Sequence, residues 1–120
     1  MPEFFADSYT FVSALDGSKS YKRLLAPGDF VTTRLNAVEV GYAMMLRGGK
    51  DLLGNALPAI LEKCVDPPPA AVTQAVLFRR QRNQAGGKLS TVDAWGYATA
   101  HSILASLSLR ETRPSVAFRA

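Results

Sequence analysis

Residues 4–15 read FFADSYTFVSAL: two adjacent phenylalanines, an acid followed by a serine, then a short apolar run. Phe4 and Phe5 favour extended structure, so a first strand is expected over Glu3 to Ala6. Asp7-Ser8 reads as a turn or helix cap, and Thr10 to Leu15 as a short helix closed by Asp16-Gly17. Strand, acid, helix is the opening of an α/β chain, with Asp7 at the carboxyl end of the first strand.

Outward from there, Ser18 caps a second helix towards Leu25, Pro27-Gly28 breaks it, and Asp29 to Thr33 is a candidate second strand. A helix opened by Asn36 or a residue just before it runs to about Arg47, with Leu35, Val38, Tyr42, Met45 and Leu46 at helical spacing and Gly48-Gly49 as terminator. It is apolar nearly all round, which predicts burial on most sides. Asp51 to Lys63 is helical in pattern but interrupted by Pro58, and a short strand is expected around Cys64-Val65. Pro67 to Pro69 lead into a helix from about Ala70 to Asn83, stopped by Gly86-Gly87. Ser90 caps the next helix, which carries Asp93 in its first turn and continues towards Leu104. Ala105 to Leu109 alternates serine with apolar residues as a strand would, and Ser115 to Phe118 is a last candidate strand. Strands separated by helices imply crossover connections and a mostly parallel sheet.

The 120 residues, 48% of them apolar, fit one domain over residues 1–120 with a single core. There is no charged segment leading into an apolar stretch and cleavage site, and no apolar run near the length of a membrane span. A cytoplasmic location is expected. The lone Cys64 has no partner for a disulfide or a zinc motif and reads as a small hydrophobe, with a regulatory thiol as the other reading. A net charge of +4 permits a polyanionic partner such as nucleic acid without requiring one.

Asp7, Glu39 and Asp93 each sit inside apolar sequence. A buried acid is costly unless it is paired or binds a cation, and a metal site is the reason three could share. Asp7 and Glu111 would emerge beyond strand ends, where open α/β sheets place their ligands, while Glu39 and Asp93 lie early in helices. Mg²⁺ takes oxygen ligands and keeps several waters, so two or three carboxylates hold one ion, and a pair of metals roughly 3.5–4 Å apart hydrolyses phosphodiesters. Each acid also has a structural reading. Asp7 would be a cap or turn acid, Asp93 a favourable charge in the first turn after Ser90, Glu39 a capping-box acid reaching back to Asn36, and Glu111 a solvated acid between Arg110 and Arg113.

Three stretches carry a family resemblance across nearly the whole chain: DSYTFVSALDG (7–17), NAVEVGYAM (36–44) and LSTVDAWGYATA (89–100). In order and spacing the chain resembles the PIN-domain ribonucleases, most closely the toxins of VapBC toxin–antitoxin systems. The resemblance implies a PIN-like three-layer α/β/α domain around a mostly parallel sheet of about five short strands. It also implies Mg²⁺ or Mn²⁺ dependence, endoribonuclease activity, homodimers and a cognate antitoxin protein. By position Asp7, Glu39 and Asp93 would be catalytic and metal-binding. The family's fourth acid follows a strand as Thr-x-Asp, whereas this chain has Leu109-Arg110-Glu111, so Glu111 departs from the pattern.

Arg34 and Arg110 stand near the proposed site and are candidates for holding a scissile phosphate; the denser cluster FRRQRN (78–83) reads first as a solvated helix end and second as a phosphate contact. His101 reads as structural rather than as a general base. Met44, Met45, Tyr42, Trp95 and Tyr97 read as core or dimer contacts, with base stacking as the alternative. The rival to the nuclease is a PIN-like RNA- or protein-binding module that has lost catalysis. A receiver-type signalling domain is disfavoured, because its paired acids, phospho-acceptor and late lysine have no counterpart here.

Overall fold

A computed structural model describes residues 4–88 and 90–108, the side chains of 92 and 103–108 excepted. Strands β1 (Phe4–Phe5) and β2 (Phe30–Val31) pair in parallel, Phe4 opposite Phe30 and Phe5 opposite Val31. The helices are α1 (Ser8–Leu15), α2 (Lys19–Leu25), α3 (Arg34–Leu61), α4 (Pro69–Gln84) and α5 (Thr91–Ser108).

This corrects the expected PIN-like α/β/α domain with a mostly parallel sheet of about five strands. Among the described residues the chain is mostly helical, and its sheet has two strands, extended by one parallel bridge between Thr32 and Cys64. The strands are short because each runs directly into a helix cap. Asp7 caps α1 immediately after Ala6, and Thr33 caps α3 immediately after Thr32. The strand expected at Cys64-Val65 is reduced to that bridge, held by Thr32 N–H donating to the Lys63 carbonyl at 3.0 Å and Val65 N–H donating to the Thr32 carbonyl at 2.9 Å. Residues 105–108, expected as strand, continue α5. Extending a formed helix adds one hydrogen bond per residue fixed, whereas a strand there would need a new edge to pair with. The strand expected at Ser115 to Phe118 lies outside the described residues.

The two faces of the small sheet follow the strand period of two. Phe4 and Phe30 point into one cluster with Phe11, Ala37, Val40, Met44 and Ile60, and the Phe11 and Phe30 rings meet edge-on at 5.5 Å. Phe5 and Val31 point the other way and pack with Ala100 of α5. Helix α5 also packs along α4.

Helix α3 departs from expectation twice. Gly49 leaves helical geometry at φ 65°, ψ −157°, a region open essentially to glycine, so the expected terminator acts as a kink within one assigned span. Pro58 does not end the second segment, which continues to Leu61. Gly54, whose carbonyl loses its donor to the proline, is exposed and within reach of water. Burial on most sides is corrected too. Small or slender residues, Ala37, Val40, Gly41, Ala43 and Met44, face inward, while Val38, Tyr42 and Leu46 stand 67–70% exposed.

Candidate functional site

Parallel strands bring their carboxyl ends to one edge, and there the starts of α1 and α3 meet. Asp7 lies two residues beyond β1 and caps α1, with Oδ1 accepting from the Thr10 backbone N–H at 2.9 Å and from the Thr10 hydroxyl at 2.8 Å. Thr33 lies two residues beyond β2 and caps α3, and its hydroxyl donates to Asn36 Oδ1 at 2.6 Å. Asn36 Nδ2 then donates to Ser8 Oγ at 2.9 Å, which ties the two helix starts together. Beneath them the Thr32 hydroxyl donates to the Ala6 carbonyl at 2.8 Å, satisfying the last group of β1. Thr10, Thr32, Thr33 and Asn36 are at most 1% exposed, so this polar set is buried and internally paired.

Sequence reasoning missed this set. Thr33 stands three residues before Asn36, an N-cap spacing that was open to recognition; the Ser8–Asn36 bond, spanning 28 residues, was not.

Of the three central acids, Asp7 is half-buried, and Glu39 and Asp93 are exposed. Burial, more than any other cause, raises the Asp7 carboxyl above its ordinary value of 3.8; the Thr10 hydrogen bonds oppose this, and the nearby negative charge of Asp93 adds to it. The charge of Asp93, 86 residues away in sequence, therefore reaches Asp7. Asp93 sits in the first turn of α5, its backbone N–H bonded to Ser90 Oγ at 3.0 Å, so Ser90 caps that helix as expected. Both Thr10 bonds to Asp7 fall on Oδ1, and among the described residues no other side chain donates to this carboxylate.

Glu39 is placed differently from the capping-box reading. The cap of α3 is Thr33, so Glu39 lies more than a turn into the helix and cannot close a capping box with Asn36. Among the described residues no three acidic, histidine or cysteine side chains gather as a metal-binding group. Glu111 and Arg110 lie outside the described residues. Arg34 is exposed and ion-paired with Asp66, so a phosphate there would compete with a carboxylate. His101 is exposed on α5. Cys64 is half-buried, its Sγ donating to the Ile60 carbonyl at 3.6 Å, and burial pushes its thiol up, which suits packing rather than reactivity.

The donor chemistry fits one hard divalent cation. A partly desolvated carboxylate that lies within the field of a second one gains from a nearby cation, and Mg²⁺ binds through one or two carboxylates while keeping waters. No helix among the described residues is long and apolar enough to cross a membrane. Comparison with protein-family models, with curated proteins and with solved structures finds no match to this chain.

Proposed function

We propose that the chain is a Mg²⁺- or Mn²⁺-dependent endoribonuclease, acting as the toxin of a toxin–antitoxin pair, in which Asp7 and Asp93 hold the cation. The observation that carries the reading is the half-buried Asp7, its two Thr10 bonds gathered on Oδ1 and its carboxyl raised by burial and by Asp93. The resemblance of residues 7–17, 36–44 and 89–100 to metal-dependent ribonucleases supports the reaction. The cation would supply water activation and stabilise the leaving oxygen of the phosphodiester. The protein's part is to aim the two carboxylates: Thr10 fixes Asp7 through Oδ1, and the Ser8–Asn36–Thr33 chain holds the start of α1 against α3. A cytoplasmic setting, a homodimer and an antitoxin partner belong to the same proposal.

A second reading, a binding module without catalysis, is favoured by the failure of a third acid to join the pair among the described residues. One experiment separates the two. RNA cleavage should require Mg²⁺ or Mn²⁺ and be lost in Asp93→Asn. Calorimetric binding of Mn²⁺ without any cleavage would favour the module, and cleavage that survives both chelator and Asp93→Asn would refute the metal mechanism.

A further inference from the structure

We propose that the cavity between the starts of α3 and α5 and the flank of α4 takes one unpaired nucleobase of an RNA strand, stacked on Trp95, with Arg80 meeting a neighbouring phosphate. The proposal rests on the ribonuclease reading and adds to it a preference for single-stranded RNA.

The cavity measures about 410 Å³ and is walled by Leu35, Val76, Ala94 and Trp95, with Arg79 and Arg80 on the α4 side. Its apolar walls, one indole and two guanidinium groups are what a base with its phosphate asks for: an aromatic face for stacking, and cations for the backbone. None of its described lining residues is acidic, so the charge complements an anion. A second cavity, about 340 Å³, shares Leu35 and Trp95 with the first and includes the Arg34–Asp66 ion pair. Trp95 and Leu35 thus stand between two adjoining hollows, and Trp95 is only partly buried.

Its position relative to the acid pair is set by helix geometry. Asp93 and Trp95 are two residues apart in the first turns of α5, about 3 Å along the axis and on roughly opposite sides of it. A strand crossing the amino end of α5 would leave a phosphate at Asp93 and Asp7 on one side and turn a nearby base into the cavity on the other. A base held in a duplex cannot make that turn, so the subsite would select unpaired RNA.

Trp95 is the only tryptophan in the chain, so tryptophan fluorescence reports on this residue alone. A short single-stranded polyadenylate RNA is titrated into the wild-type protein in chelator, with anisotropy of a labelled strand followed in parallel, and an abasic strand of the same length and an acidic amphipathic peptide are run as comparisons. Saturable quenching by the RNA and none by the abasic strand is expected. Trp95→Ala should weaken RNA binding about 5- to 100-fold, the scale of one lost stack, with Trp95→Phe retaining most of it. Arg80→Ala should weaken RNA and abasic strand alike. Anisotropy that shows binding without quenching, equal quenching by the abasic strand, or quenching by the peptide and not by RNA would each overturn the subsite. Cleavage is scored separately with Mn²⁺. Metal-dependent cleavage without quenching removes the subsite and spares the nuclease, whereas base-dependent quenching without cleavage does the reverse.

Discussion

Asp7→Asn should make the protein more stable and less able to bind a cation. Asparagine keeps the Oδ1 acceptor for both Thr10 bonds and caps a helix about as well as aspartate, so the substitution removes a partly buried charge and little else. Relieving such a group stabilises by about 0.5–2 kcal/mol, or about 4 °C of Tm per kcal/mol for a chain of this size. The pH dependence carries the sign. The folded Asp7 carboxyl is raised above the unfolded 3.8, so its contribution to stability is fully present below that value and is lost as pH rises through the raised folded value. Wild type and Asp7→Asn should therefore coincide in acid and separate towards neutrality, with the variant the more stable. Adding Mn²⁺ at a hundred times its Kd should raise wild type by about 2.7 kcal/mol and leave the variant unchanged. Urea and thermal denaturation across pH, with chelator or Mn²⁺, measure all of this. If Asp7→Asn is less stable than wild type at neutral pH in chelator, with a gap that persists into acid, Asp7 is a helix cap and the argument for a cation fails.

Asp7→Ala, by contrast, removes the cap and leaves the buried Thr10 hydroxyl without its acceptor, and should lose about 1–3 kcal/mol in urea denaturation. Asn36→Ala opens the bond to Ser8 and the bond from Thr33 at a site 1% exposed, and about 2–4 kcal/mol of destabilisation is expected by the same measurement. Gly49→Ala forces a side chain into φ 65°, ψ −157° and should cost about 1–3 kcal/mol although open space surrounds the position, which thermal denaturation will show. The exposed Arg47 side chain holds the Asp16 carboxyl below the usual carboxylate range through a hydrogen bond of 2.9 Å from Nη2. In Arg47→Ala an NMR titration should find the Asp16 midpoint moved up, and high salt should move it up in wild type as well.

Local chemistry was legible along the chain wherever a residue acts on its near neighbours. Ser18 and Ser90 were readable as caps, Gly48-Gly49 as a break, and Pro67 to Pro69 as a helix entry, because each effect is settled within a turn. Asp7 was legible as an acid at a strand end. Strand number was not: Ala105 to Ser108 alternates as a strand would, yet the backbone follows α5, since alternation describes a face and cannot supply a partner edge. Glu39 was misplaced for a related reason. Apolar residues on every side of α3 suggested burial all round, while packing chose the small side chains Ala37, Gly41 and Ala43 for the interior and left Val38, Tyr42 and Glu39 outside.

The sequence by itself determined where α1, α2, α4 and α5 begin and where α3 kinks, because caps, glycines and prolines act through bonds only a few residues long. Only the tertiary structure decided which acid acts on which: the charge of Asp93 reaches Asp7 because α5 packs on β1, while Glu39 rides on a solvent face of α3. It also decided that Trp95 borders a groove, since a cavity is bounded by α3, α4 and α5 together and no single stretch of chain encodes it.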